Sequence, residues 1–327
     1  MEPLVNIVIP TFNRAHLIGQ AVEAALGQSY RNLVVTVVDD GSTDATRDRL
    51  SSWFPDPRFQ YIQLAENAGT AQAKNVGLAL TAADACTFHD SDDLPHRDKV
   101  LRQARVMAQP AIHADACLNW GSAGREPGSR VDMGCVLTHH ELLLPDGRRV
   151  EISRSLSLVD DFFPNLQMGS TVPGDWTHVN SGLFRVSVFA RLGGFSDCIE
   201  EDREFRNRLI MAGEVVWVIP EPLLTKIETP DSLTQSAASD YDSARRKADR
   251  QAVWDSVARW RASGEVPPVP VDLSGVSIGF VSNPALLARS GALMTKGTRD
   301  RVDMWVRRLG PARAADRAGT AEIGETA

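Results

Sequence analysis

Cysteine is scarce in this chain, with four residues in 327, Cys86, Cys117, Cys135 and Cys198. They are widely spaced, with no C-x-x-C pair and no cysteine–histidine spacing of the zinc-finger kind, which argues for buried reduced thiols over a disulfide framework or a structural zinc site. Positive charge is also in deficit, 35 Lys and Arg against 42 Asp and Glu for a formal net charge of −7, and no basic stripe stands out. A nucleic-acid surface needs clustered cations to neutralise phosphates, so nucleic acid is not an expected partner. No apolar run approaches the roughly 20 residues of a membrane helix. The strand-like "VNIVIP" follows Met1 without a cationic, then apolar leader. These absences lead to the expectation of a cytoplasmic protein with no transmembrane segment, for which peripheral association with a membrane stays open. No internal repeat is visible.

What is present suits a globular fold: 43% hydrophobic and 24% charged residues are enough for one large core or two smaller ones. Strand and helix patterns alternate from the N-terminus. "VNIVIP" is followed by "HLIGQAVEAALGQ", in which Ile18, Val22, Ala25 and Leu26 share one helical face. "NLVVTVVDD" is a near-continuous β-branched run suited to a strand covered on both sides. After the turn signal "DGSTD", residues 45–53 read as helix, "YIQL" as strand, 69–82 as helix with Ala73, Val76 and Leu80 in register, and "ACTFH" as strand. Such βα repetition predicts an α/β fold with a mainly parallel, doubly wound central sheet flanked by helices.

The pattern loosens beyond residue 95. A helix is expected near 97–109, then a Gly/Pro-broken region to about 177, then "VNSGLFR", a short helix and "GGF". "EEDREFRNRLIMAG" reads as a helix stopped by Gly213, "EVVWVIP" as a strand, and 240–263 as a charged helix. "PPVPVDLSG" reads as a linker, followed by the strand "VSIGFV", the basic helix "RDRVDMWVRRLG" and a disordered tail.

In an open parallel sheet, ligands sit beyond the carboxyl ends of the strands, and two acidic clusters fall there. "VVDDGSTD" follows the second strand, where Asp-Gly is a common turn and Ser42, Thr43 or Asp44 would cap the next helix. "FHDSDD" follows the fourth strand and crowds Asp90, Asp92 and Asp93 into four positions. Like charges this close raise one another's pKa unless a cation compensates. A solvated turn is one explanation. A hard divalent ion, Mg²⁺ or Mn²⁺, sharing the carboxylates with a diphosphate is the other. Lys74 in "NAGTAQAKNVG" is a candidate phosphate-binding cation or else a solvent-facing helix lysine. Glu200, Glu201 and Asp202 open a helix, where they either complement its dipole or supply a general base.

The segments "VNIVIPTFNR", "VVDDGSTDAT", "NAGTAQAKNVG", "HDSDD" and "GGFSDCIEEDREFRNRL" resemble, in order and approximate spacing, those of family 2 glycosyltransferases of the GT-A fold. The resemblance covers about residues 4–213. It implies that Pro10, Thr11, Phe12 and Arg14 line the nucleoside pocket, that Asp39 and Asp40 meet the base, usually uracil, and that Lys74 lies near the diphosphate. It further implies that Asp90, Ser91 and Asp92 form the D-x-D element that meets ribose, that Asp90, Asp92 and Asp93 hold Mn²⁺ or Mg²⁺, and that Asp202 is the base with Glu201 beside it. The domain organisation it implies is a nucleotide-sugar-binding half over 1–110 and an acceptor and catalytic-base half over 111–235. A helical C-terminal extension over 236–310 and a tail over 311–327 would follow.

The activity it implies is inverting, hexosyltransferase-type transfer from a nucleotide-sugar donor, usually a UDP sugar, to a glycan, a lipid-linked saccharide, a protein or a small molecule. Two departures stand out. "LLTKIETPDSLT" lacks the histidine that many members place near the metal, which implies either a modest metal affinity or another residue in its place. "SVARW" has Ser256 where processive members carry Gln in Q-x-x-R-W, which points to non-processive transfer. Two other readings remain: a sugar-nucleotide pyrophosphorylase, against which the absence of a Gly-rich loop after the first strand counts, and a non-catalytic binding module. Trp176 and His178 are weaker candidates for the acceptor side.

Overall fold

In the computed structural model, the described residues are 2–109, 112–113, 130–131, 133–152, 167–172, 179–227 and 243–310. The N-terminal elements are β1 (Val5–Thr11), α1 (Ile18–Leu26), β2 (Leu33–Asp39), α2 (Thr46–Leu50), β3 (Phe59–Leu64), α3 (Thr70–Leu80) and β4 (Ala85–Phe88). Next come β5 (Leu94–Pro95), α4 (Lys99–Met107), β6 (Ile112–His113), β7 (Arg130–Val131), β8 (Met133–Leu143), β9 (Arg149–Ile152) and β10 (Gln167–Met168). The chain continues through β11 (Leu183–Arg185), α5 (Val186–Leu192), α6 (Glu201–Met211), β12 (Val215–Ile227), α7 (Ala244–Ser263), β13 (Ile278–Val281) and α8 (Lys296–Leu309).

The main sheet runs β10-β12-β8-β11-β4-β1-β2-β3-β13, with β5 alongside β12 and β9 alongside β8. Strands β4, β1, β2 and β3 are mutually parallel, while β11 runs antiparallel to both β4 and β8. The chain lays β2 and β3 on one side of β1 and then returns to place β4 on the other, which makes the β1/β4 junction a topological switch point and opens a crevice at its carboxyl edge. Every residue of β1 and β2 is buried, as expected for strands with helices on both faces. Val8 joins a core with α3, α5, α6 and α8, whereas its neighbours Ile7 and Ile9 join a second core with α1 and α4. Gly77 lets α3 settle directly on β1: a Cβ there would lie 2.5 Å from Val8 Cγ1.

Three features depart from the sequence reading. The Gly/Pro-broken region contains β8, an eleven-residue strand whose alternation is hidden by Gly134 and by the buried polar run Thr138, His139 and His140. Strand β12 does not stop at Pro220 but continues to Ile227, because its register against β8 shifts around Ile219–Thr225 and accommodates Pro220 and Pro222. The expected linker is packed: Val269 bridges Gly193, Val271 bridges Met294, and Val271 and Leu273 are buried in the same core as Val8. Strand β13 then extends the sheet antiparallel to β3. Residues 311–327, Cys117, Trp176 and His178 lie outside the described residues.

Candidate functional site

The loops that follow β1 and β2 are stitched together at Asn13, which has φ 53°, in the left-handed region that asparagine tolerates. Asn13 Oδ1 accepts from the backbone N–H of Thr43 at 2.9 Å and of Asp44 at 3.3 Å, while Asn13 N–H donates to Ser42 Oγ at 2.8 Å. Asp39 is buried, accepting from Ser42 N–H at 2.7 Å and from the Tyr61 hydroxyl. Asp40 accepts from Ala68 N–H at 2.6 Å and from Gly69 N–H at 2.9 Å, so its carboxylate satisfies donors at the entry to α3. Burial pushes the Asp40 carboxyl up to about 6 against the pull of those two N–H groups. Both aspartates therefore carry internal duties, with acceptor capacity to spare on each carboxylate. Pro10 and Thr11 are buried, whereas Phe12, directly after β1, is 42% exposed.

At the end of β4, Asp90, Asp92 and Asp93 each present an oxygen, all within 4.8 Å of one another. Asp93 N–H donates to the Asp90 carbonyl at 3.1 Å, closing a tight turn through buried Ser91. Asn180 Nδ2 reaches both Asp90 oxygens, at 3.0 and 2.9 Å. Lys226 Nζ lies 3.3 Å from Asp90 Oδ2 and 3.9 Å from Asp93 Oδ2. Burial, with Asp90 and Asp92 adding to it, holds Asp93 well above the usual carboxylate range despite the Lys226 ammonium. Asp92 is raised by burial and by Asp90, with Lys226 and Arg14 pulling the other way, which places Arg14 near the same cluster. Asp93 Oδ2 is buried and makes no hydrogen bond among the described residues. Three hard oxygen donors at this spacing, one of them an orphan, fit a divalent ion of the Mg²⁺ or Mn²⁺ kind.

The third component is built by α3 and α6. Asn75 Nδ2 donates to the Phe195 carbonyl at 2.9 Å and Asn75 Oδ1 accepts from Phe195 N–H at 2.9 Å, clamping "KNVG" onto "GGF". Gly194 is required beside the clamp, since a Cβ would sit 2.3 Å from Asn75 Oδ1. The preceding residue, Lys74, is buried and donates to Glu201 Oε1 at 3.0 Å and Asp202 Oδ1 at 2.6 Å. Burial alone would lower the Lys74 pKa, but Asp202, Glu201 and the more distant Asp90 raise it above its usual value. Burial pushes Glu201 up to about 7, although Lys74 opposes the shift. Glu201, Asp202 and Glu204 occupy the first turn of α6, where the helix dipole favours them. Glu200 instead turns away to Arg203, Arg246 and Arg250, tying α7 to the start of α6. Asn75→Ala is expected to cost about 1–3 kcal/mol, because the buried Phe195 N–H and C=O lose their partners. A urea-unfolding midpoint unchanged from wild type would contradict this.

The structure thus brings Arg14, Asp90, Asp92, Asp93, Lys74, Glu201 and Asp202 to one carboxyl-edge crevice, with Asp39 and Asp40 one strand away. Lys226, Asn180 and Asn75 escaped the sequence reading. The missing histidine in "LLTKIETPDSLT" was the one available pointer to Lys226, which sits in that segment.

The sequence model described as "Glycosyl transferase family 2" matches residues 6–150, the span that carries β1 to β4 and the acidic turn. Over these residues the chain is similar to family 2 glycosyltransferases. An "Uncharacterized glycosyltransferase" of Haemophilus influenzae is 35% identical over 108 residues, 33% of this chain and 43% of that protein. The chain spans less than half the length of the curated relatives it matches first. Among solved structures, the domain and its surroundings resemble the mannosyltransferase PcManGT from Pyrobaculum calidifontis in complex with GDP-Man and Mn²⁺. The TM-score is 0.50 at 19% identity, over 82% of this chain and 66% of that one. S. aureus TarS 1–349 in complex with UDP-GlcNAc gives a TM-score of 0.52 at 15% identity, over 79% of this chain and 72% of that one. At these identities the likeness establishes the fold, a mixed α/β GT-A architecture around a largely parallel sheet.

Proposed function

We propose that the protein transfers a sugar from a nucleoside-diphosphate donor, a UDP sugar, to an acceptor hydroxyl with inversion at the anomeric carbon. The observation that carries this reading is the convergence of two acidic groups on one crevice, Asp90–Asp92–Asp93 from β4 and Glu201–Asp202 from α6, with Lys74 between them. The match to the family over 6–150 supports the donor side.

On this reading Pro10, Thr11, Phe12 and Arg14 border the nucleoside, Phe12 offering an exposed ring face, and Asp39 or Asp40 accepts from the base. Asp90, Ser91 and Asp92 meet the ribose, and Asp90, Asp92 and Asp93 would hold Mn²⁺ or Mg²⁺. When bound, such an ion supplies positive charge to the leaving diphosphate. Lys74 fixes Asp202 through Oδ1, and no hydrogen bond engages Asp202 Oδ2 among the described residues. That oxygen is placed to take the acceptor proton as the hydroxyl attacks the anomeric carbon from the face opposite the leaving group. Glu201 holds the other side of the Lys74 ammonium, so that Lys74 and Asp202 keep their geometry. Trp260 is buried on α7, and Ser256 stands where processive members carry Gln, which is the ground for reading the transfer as non-processive.

Removing divalent ions with a chelator is expected to weaken UDP binding at least about tenfold by calorimetry, since the diphosphate loses its charge partner. Metal-independent affinity would remove the ion from this reading. A donor screen with UDP and GDP sugars tests the transfer itself; no hydrolysis of any donor would favour a non-catalytic binding module.

A further inference from the structure

Three carboxylates within 4.8 Å of one another require compensation, and the chain supplies some of it itself. Strand β5 begins directly after Asp93, and its Leu94 and Pro95 pair with Thr225 and Leu224 of β12. The next residue of β12 is Lys226, so the strand pairing delivers its side chain to the acidic turn. Its ammonium lies 3.3 Å from Asp90 Oδ2 and 3.9 Å from Asp93 Oδ2, and its side chain is 21% exposed. Asn180 donates to both oxygens of Asp90 from the neighbouring segment. The oxygens nearest the ammonium belong to the carboxylates that fit a divalent ion, and two cations cannot share them without repulsion.

We infer that Lys226 is a tethered counter-cation of the acidic turn, a positioning residue that holds Asp90 and Asp93 together in the unliganded protein. It competes there with a divalent ion for the same oxygens. The inference rests on the proposed metal-assisted reading for its second half alone; the tethering stands on the ion pairs. Metal entry then displaces the ammonium from Asp90 and Asp93 toward the open side of the crevice, where an incoming diphosphate carries the complementary charge. The ion is thereby admitted weakly without nucleotide and firmly with it, through a lysine that β12 delivers to the acidic turn.

The test uses the full chain, with Lys226→Met to delete the charge at similar length and Lys226→Arg to retain it. Mn²⁺ without nucleotide is titrated against each protein and free ion is read by electron paramagnetic resonance. Lys226→Met is expected to bind Mn²⁺ at least about tenfold more tightly than wild type, and Lys226→Arg to stay within about threefold of it. In chelator, Lys226→Met is expected to melt below wild type, and adding Asp93→Asn to recover part of the loss, because the orphaned charge is then removed. Equal Mn²⁺ affinity in wild type and Lys226→Met, or weaker affinity in Lys226→Met, overturns the competition. Equal melting of wild type and Lys226→Met in chelator overturns the tether. Should the melting coupling appear while neither protein binds Mn²⁺, even with UDP, the tether holds and it is the metal of the proposed function that fails.

Discussion

Asp202→Asn is expected to lower the rate of sugar transfer by about 10²–10⁴-fold while leaving the donor dissociation constant within about threefold of wild type. The asparagine keeps an oxygen for Lys74 but has no basic carboxylate to accept the acceptor proton. Glu201 remains paired with Lys74 at 3.0 Å, so the buried ammonium keeps a carboxylate partner and the site keeps its shape. Glu201→Gln instead removes the charge of the second partner while leaving an amide oxygen for Lys74, and a smaller loss of rate is expected because Asp202 retains its 2.6 Å contact. Turnover of the Asp202→Asn protein at the wild-type rate would assign the base elsewhere. A collapse of donor affinity in the same variant would instead place Asp202 on the donor side.

The largest expected loss of stability is at Arg208. This side chain is fully buried and binds Glu204 in bidentate fashion, at 3.0 Å through Nε and 2.7 Å through an Nη. It also donates to the carbonyls of Leu192 and Gly194, the latter at 2.6 Å, fixing the backbone just ahead of the Phe195 clamp. Arg208→Leu leaves a buried carboxylate and two carbonyls without a donor, a change worth about 3–5 kcal/mol. For a chain of this size that corresponds to a fall in melting temperature of about 4–7 °C. Glu204→Leu added to Arg208→Leu should recover part of the loss, since the stranded charge disappears. A single variant within about 1 kcal/mol of wild type would show that the pair is balanced by its own desolvation. Because α6 carries Asp202, a loosened Arg208 also predicts a lower transfer rate in whatever fraction remains folded.

Much of the site was legible because it is written in short-range signals. "DGSTD" and "HDSDD" are turn chemistry at the ends of apolar runs, and "EED" ahead of "FRNRL" is helix-start chemistry. Each depends only on residues a few positions apart. Lys74 was legible as a cation but not as the partner of Asp202, since 128 positions separate them. Strand β8 was hidden because its polar residues Thr138, His139 and His140 are buried between neighbouring strands, an environment no local alternation reveals.

By itself the order of residues determined the parallel βα core, the acidic turn at its switch point and the acidic start of α6, because period, turn type and capping are local. Tertiary structure alone decided that β12 runs past two prolines to bring Lys226 to Asp90 and Asp93. It likewise decided that Asn75 and Arg208 lock the α6 entrance and that residues 269–281 close the core as bridge and strand. Those contacts join positions tens to hundreds of residues apart, and their energy comes from burial and charge pairing that exist only once the sheet has assembled.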